Sequence, residues 1–231
     1  MNIAVVGAGS IGGTLVRQLS AAGHRVSVAN RRGPEHLVDL AAATGARAAT
    51  LAEVAADARV VIVAVPLPAI AGLLGAGLAL PADAVVVDTS NYVPHLRDAR
   101  IGELDHGAVE SRWTERQLGH PVVKAFNTIT AASLRDKPAP AGTRGRVALP
   151  IAGDEPIAKT VVIALAEQIG FAGVDAGPLD ESWRQQPGTP VYTTDLGENA
   201  IAAALAGAEP AQTEAWRARL TARAGQAPGW S

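Results

Sequence analysis

A short strand-forming run, Asn2-Ile3-Ala4-Val5-Val6, passes directly into Gly7-Ala8-Gly9-Ser10-Ile11-Gly12 and then into an Ala- and Leu-rich stretch ending near Ala22. G-x-G-x-x-G alone carries little information, but between a strand and a helix read from Ser10 to Ala22 it has the context of a dinucleotide-binding turn. Gly7 permits the tight turn, Gly9 leaves room for a pyrophosphate to approach the backbone, and Gly12 lets the helix pack against the strand. The free N–H groups from Ala8 to Gly12, the Ser10 hydroxyl and the positive end of the helix dipole then face the phosphates.

The second strand, read as Arg25 to Ala29, decides which nucleotide is preferred, because the adenine ribose lies at its end. A carboxylate there would accept hydrogen bonds from both ribose hydroxyls and repel a 2′-phosphate. This chain has Asn30-Arg31-Arg32 instead. Asn30 is a neutral donor and acceptor, and the two guanidinium forks suit a phosphate, so NADP(H) is expected. The competing reading is a pair of solvated arginines ahead of a helix that starts near Pro34.

Further along, strand and helix signals alternate. Thr50-Leu51-Ala52-Glu53 reads as a capping box opening a short helix. Val60 to Leu80 carries no charge, but Pro66 and Pro68 interrupt any span, and Val60 to Val65 has the β-branched density of a strand buried on both faces. Val65, Pro66 and Leu67 then fall at a carboxyl end, where open parallel sheets bind ligands. Ala84 to Asp88 is another strand, ending in Thr89-Ser90-Asn91-Tyr92. His95 to Ala108 reads as loop, Glu110 to Leu118 as helix, and Pro121 to Phe126 as a strand ending in Asn127-Thr128. Strands at Val147 to Gly153 and Ala172 to Asp175 flank a helix that Asp154 caps and Gly170 ends, followed by a helical tail from about Thr193 to Ala224. The expected fold is α/β: a Rossmann-type, doubly wound, mostly parallel sheet over 1–176, with extra C-terminal strands, and a short helical C-terminal part over 177–231 packing on it.

The chain has 231 residues, a formal net charge of −2 and 3% aromatic residues, as befits an α/β domain without a basic stripe for nucleic acid. It has no cysteine, which excludes disulfides, thiolate catalysis and Cys-ligated metals. His24, His36, His95, His106 and His120 show no metal-ligand spacing, and no metal site is expected. With a strand starting at Asn2 there is no room for a targeting segment before it, so the cytoplasm is the expected compartment.

Four segments carry a resemblance: Gly7 to Gly12, Val85-Val86-Val87-Asp88-Thr89-Ser90-Asn91, Val123-Lys124-Ala125-Phe126-Asn127-Thr128 and Ile151-Ala152-Gly153-Asp154. Together they resemble the NADPH-dependent reductases of the deazaflavin coenzyme F-420 (F420), whose motifs recur in the cytosolic domains of the six-transmembrane metalloreductases. The resemblance implies a Rossmann domain with a small C-terminal part, NADPH binding, hydride delivery to a flavin-like acceptor stacked on the nicotinamide, and a homodimer. No transmembrane helices follow the domain here, so the membrane metalloreductase role is not expected. Hydroxyacid dehydrogenases and pyrroline-carboxylate reductases open with the same kind of domain, but the stretch after Asp175 is too short for their large helical domain unless a dimer partner supplies it.

Hydride transfer between bound cofactors rests on stacking, distance and exclusion of water, so no catalytic side chain is required. Asn91 and Asn127, at neighbouring strand ends, are candidates to fix the nicotinamide amide or the acceptor, or else simply to form turns. Lys124, inside an apolar strand, is read as structural, either snorkelling or pairing with Asp88, ahead of an active-site role. Trp183 and Tyr192 flank the polar, Pro-rich Gln185 to Pro190, a loop that could cover the acceptor or anchor the tail. A non-catalytic NADP(H)-binding sensor remains the alternative to an enzyme.

Overall fold

The computed structural model describes residues 1–224. In chain order the elements are β1 (Asn2–Val6), α1 (Ser10–Ala21), β2 (Arg25–Ala29), α2 (Val38–Thr44), β3 (Arg47–Ala48), β4 (Val60–Val63) and β5 (Val85–Asp88). They continue with α3 (Gly102–Asp105), α4 (Glu110–Leu118), β6 (Val122–Lys124), α5 (Ala131–Asp136), β7 (Ala148–Ile151), α6 (Pro156–Gln168), β8 (Ala172–Asp175), α7 (Glu198–Ala206) and α8 (Pro210–Ala224). Residues 225–231, the end of the expected C-terminal part, lie outside the described residues.

Six strands form a parallel sheet in the order β3-β2-β1-β4-β5-β6. The chain leaves β1 in one direction through β2 and β3, then crosses back and builds outward in the other direction from β4. The crevice between β1 and β4 is therefore the topological switch point, and all six carboxyl ends share one edge. β7 and β8 pair in parallel with each other. They join the main sheet through an antiparallel bridge in which the Lys124 and Ala152 N–H groups donate to each other's carbonyls at 2.8 and 3.1 Å.

Alternation along the strands explains the two layers of helices. Ile3 and Val5 of β1, with Val60 and Ile62 of β4, face a core built with Leu15, Val16 and Leu19 of α1 and with Leu149, Val162 and Phe171. Ala4, Val6, Val61 and Val63 face the opposite core, with Leu67, Ile70, Trp113 and Leu118. Every residue of β4 is buried, which is why its sequence shows an unbroken β-branched run rather than alternation.

Several sequence expectations change in detail. The Thr50–Glu53 box forms, with Thr50 N and Oγ1 both donating to Glu53 Oε2 at 3.2 and 2.7 Å, but it closes turns and not a helix. Too few residues precede β4 to propagate one. The loop expected at His95 to Ala108 contains α3, a single turn held by the fully buried Leu104. Asp154 does not cap α6: Glu155 is the N-cap residue, with Pro156 in the first turn. Asp154 instead accepts from Leu179 N at 2.9 Å and pairs with Arg112 at 2.7 Å, so its carboxylate is spent on the incoming tail. The tail becomes α-helical at Glu198 rather than Thr193, because Thr193 and Asp195 hold φ of 59° and 51°, outside helical space.

Candidate functional site

The turn after β1 has the geometry its glycines require. Gly7 sits at φ 105°, and a Cβ there would lie 2.3 Å from the Ala64 carbonyl oxygen. A Cβ on Gly12 would lie 2.0 Å from the Gly7 oxygen, so this glycine lets α1 start against the strand. Gly9 differs: nothing lies within 4 Å of its missing Cβ. It is an exposed N-cap residue with no side chain to occupy the donors of α1, whose first turn also contains no acidic residue. The result is an open cradle of unpaired N–H groups at the positive end of a helix, which fits a pyrophosphate. Ser10 is exposed beside it, while Ala8 and Ile11 pack against the core.

At the end of β2, Asn30 Oδ1 accepts from Arg32 N at 2.8 Å and so shapes the turn. Arg31 and Arg32 are exposed, and neither makes an ion pair among the described residues. Beyond β4, Val65 is partly buried and Pro66 exposed, whereas the Leu67 side chain is fully buried in the second core. Leu67 can offer a ligand only its backbone.

Asn91 and Asn127 meet across β5 and β6. Asn91 Nδ2 donates to the Asn127 carbonyl at 2.9 Å, and Asn127 Nδ2 donates to Asn91 Oδ1 at 3.0 Å. Asn127 is buried and also donates to the Gln185 carbonyl at 2.6 Å, while Gln185 Nε2 donates to its Oδ1 at 3.1 Å. The Asn127 amide is thus committed within the protein and holds Asn91, the less buried of the two, at the sheet edge.

Beneath them lies a buried ionic corner. Lys124 Nζ meets Asp88 Oδ2 at 3.0 Å, with both side chains fully buried, and also donates to the Ser90 carbonyl at 2.5 Å. The remaining Asp88 capacity is filled by Ser90 N, Ser90 Oγ and Ser111 Oγ at 2.9, 2.5 and 3.0 Å. Of the two structural roles expected for Lys124, pairing with Asp88 is the one adopted, and it fixes the corner that carries Asn91.

A second network enters from the C-terminal helix. Glu110, fully buried at the start of α4, accepts from Tyr92 N at 3.1 Å and from Arg217 Nη2 at 2.9 Å. Arg217 also donates to the Leu104 carbonyl at 2.7 Å, and its guanidinium lies 5.1 Å from the Tyr92 ring centre. Burial pushes the Glu110 carboxyl above the ordinary glutamate range, against the opposing pull of Lys124 and Arg217. Sequence reading missed the roles of Glu110 and Arg217 and, although it singled out the Gln185 to Pro190 loop, did not foresee that Gln185 binds Asn127. The Gln-Gln doublet in a Pro-rich segment was the one available signal, and Arg217 had none.

Trp183 lies under the Arg184 guanidinium at 4.4 Å, and Arg184 reaches the Leu205 carbonyl of α7. Among the described residues no group of three or more His, Asp or Glu side chains could hold a metal, and no helix is long and apolar enough to cross a membrane.

A parallel sheet with an open glycine cradle at its switch point, and with polar strand ends along one edge, is the Rossmann-type arrangement of dinucleotide-binding folds. Comparison with known proteins agrees. Residues 2–92 match the family described as "NADP oxidoreductase coenzyme F420-dependent". The crystal structure of hypothetical protein SMa0349 from Sinorhizobium meliloti is 32% identical, with a TM-score of 0.72 over 86% of this chain and 96% of that one. A candidate F420-dependent NADP reductase from Arthrobacter sp. FB24 is 26% identical, with a TM-score of 0.64 over 78% of this chain and 86% of that one. Protein YjhV of Escherichia coli K12 is 50% identical over 56 residues, 24% of this chain and 41% of that protein, so the match spans about four-tenths of that curated relative. The chain belongs to the F420-dependent NADP oxidoreductase family and is an NAD(P)-dependent oxidoreductase.

Proposed function

We propose that the protein carries hydride between NADP(H) and a flavin- or deazaflavin-like acceptor. The observation that carries this reading is the open cradle at Gly9, followed on the neighbouring strand by an edge, Asn30-Arg31-Arg32, that offers two unpaired guanidinium groups and no carboxylate. Gly7, Ala8, Gly9, Ser10, Ile11 and Gly12 hold the pyrophosphate through backbone N–H groups, with Ser10 adding a hydroxyl. Arg31 and Arg32 take the 2′-phosphate in the turn that Asn30 forms. Val65, Pro66 and the Leu67 backbone flank the middle of the nucleotide. Asn91 binds the nicotinamide carboxamide, with Asn127 bracing it.

When bound, the reduced nicotinamide supplies the hydride. The chain's own part is to hold the two rings face to face and keep water away, which is why the site needs no nucleophile or metal. The family description, with its reference to coenzyme F420, supports a deazaflavin as acceptor. The resemblance also supports a cytoplasmic homodimer, with the described C-terminal part from residue 177 packing on the nucleotide-binding part; sedimentation tests the dimer.

Calorimetric titration with NADPH and NADH, followed by absorbance after adding F420, FMN, FAD or a ferric chelate, tests the proposal. Tight NADPH binding with loss of its absorbance on adding one acceptor is the expected result. Binding without turnover by any of them would favour the sensor, and failure to bind NADPH would overturn the reading of the glycine turn.

A further inference from the structure

The chain has two tyrosines, and their hydroxyls are used in opposite ways. Tyr92 is fully buried, donates to Asp105 Oδ1 at 2.9 Å and accepts from Ile101 N at 2.8 Å. Tyr192 is half-buried, and its ring meets Trp216 of α8 edge-on at 6.0 Å. Its hydroxyl makes no hydrogen bond among the described residues and is not among their buried unpartnered atoms, so it remains accessible to a ligand. Burial, assisted by the Glu110 carboxylate and opposed by Arg97, pushes this phenol above its ordinary range, so it keeps its proton at neutral pH.

Its turn lies beside the Asn91–Asn127 pair. Thr193 N donates to the Thr128 carbonyl at 2.7 Å, tying the residue after the tyrosine to the residue after Asn127. Arg97, whose charge acts on the phenol, donates to the Asn91 carbonyl at 2.5 Å. Four non-glycine residues among those described have positive φ, and three of them, Phe126, Thr193 and Asp195, flank this one junction. Backbone in that region is strained and persists where its surroundings fix it. Here Asp195 is held by Ser133 Oγ at 2.7 Å and Lys137 Nζ at 2.9 Å. The turn that carries Tyr192 is therefore built, and its hydroxyl is left accessible, with no partner among the described residues. Trp183, the other aromatic flanking this loop, lies under the Arg184 guanidinium, which itself reaches the Leu205 carbonyl of α7.

We propose that Tyr192 Oη donates a hydrogen bond to a ring carbonyl of the hydride acceptor, beside the Asn91–Asn127 pair. The acceptor is then a planar conjugated carbonyl compound of the flavin or deazaflavin class, not a ferric chelate. This rests on the reading of the site as an NADP(H)-dependent reductase. A hydrogen bond at that oxygen strengthens as the ring takes up the hydride's electron pair, so its effect falls mainly on turnover and less on binding.

Two tyrosines make a direct test practical, because protein labelled with 13C at tyrosine Cζ gives two resonances, and Tyr192→Phe assigns them. The variant also keeps the ring that packs on Trp216. On the complex with NADP⁺, added F420 or FMN should shift the Tyr192 resonance saturably and leave that of Tyr92 in place, while ferric EDTA moves neither. Tyr192→Phe should bind NADPH as tightly as the wild type and lose turnover with F420 or FMN by about 100-fold, mostly in kcat. If NADP⁺ binds but neither ring compound moves the Tyr192 resonance, or if Tyr192→Phe turns over like the wild type, the inference is overturned and the nucleotide reading stands. If NADPH does not bind at all, the site reading itself falls and takes this assignment with it.

Discussion

Gly9 and Gly12 lie in the same six-residue turn yet answer to different pressures. Gly12 is required by the fold, since a Cβ there would sit 2.0 Å from a carbonyl oxygen, whereas Gly9 has φ −73° and open space around it. Gly12→Ala should therefore lower the melting temperature sharply or abolish folding. Gly9→Ala should leave thermal unfolding unchanged and weaken NADPH binding at least about 10-fold by placing a methyl group where the pyrophosphate approaches. Calorimetry and a melting curve on each variant separate the two. By the same logic, the Arg31→Ala, Arg32→Ala double variant should lose roughly 10- to 100-fold in NADPH affinity and leave NADH affinity nearly unchanged; an equal loss for both nucleotides would show that the arginines do not select the phosphate. Lys124→Met strands Asp88 in the interior and should cost about 3–5 kcal/mol in a urea titration. The Lys124–Asp88 pair was legible as one of two structural readings because a lysine inside an apolar strand either snorkels or finds a counter-charge, and the glycine turn because its spacing encodes its geometry. Gln185 was not, for it reaches Asn127 across 58 residues of chain, and no local pattern records such a contact.

At the scale of elements, the site depends on where α8 docks. Arg217 supplies the charge that meets the buried Glu110 carboxylate, and Glu110 in turn holds the Tyr92 amide next to Asn91. Removing that charge with Arg217→Met should destabilise the fold by about 3–5 kcal/mol, with much of the loss recovered when Glu110→Gln is added. The same carboxylate predicts a pH dependence. Its folded value is raised, so above the ordinary 4.5 the folded state holds the proton longer than the unfolded chain. Stability contributed at Glu110 therefore falls as pH rises through that window, and the stability of the wild type minus that of Glu110→Gln should shrink from pH 4.5 upward. A constant difference would place Glu110 at its ordinary value. Helix α4 itself was readable, with the same bounds, from the run Glu110 to Leu118. What it docks against was not, because Arg217 lies on a helix whose sequence gives no sign of which face is covered. The capping box at Thr50 misled for the complementary reason: its side-chain bonds form as expected, but the segment is too short to continue as a helix.

Across the whole molecule, the sheet reverses direction between β6 and β7 through a single bridge, while the core beneath runs on unbroken. Leu149, Ile151, Val162 and Phe171 from beyond the reversal share one cluster with Ile3, Val5 and Leu15 from the first βα unit. Far-ultraviolet circular dichroism and tryptophan fluorescence should accordingly report one coincident thermal transition; two separated transitions would mark the region after β6 as an independent unit. The long reach of Arg217 also sets an order of assembly during synthesis. The glycine cradle, the arginine edge and the crevice between β1 and β4 are all present in the chain by Asp88. Glu110, by contrast, waits 107 residues for its ion-pair partner Arg217, so the corner that holds Tyr92 next to Asn91 can reach its final form only after α8 has left the ribosome. The order of synthesis therefore delivers the glycine turn and the arginine edge long before the residues that complete their shared core and the corner around Asn91.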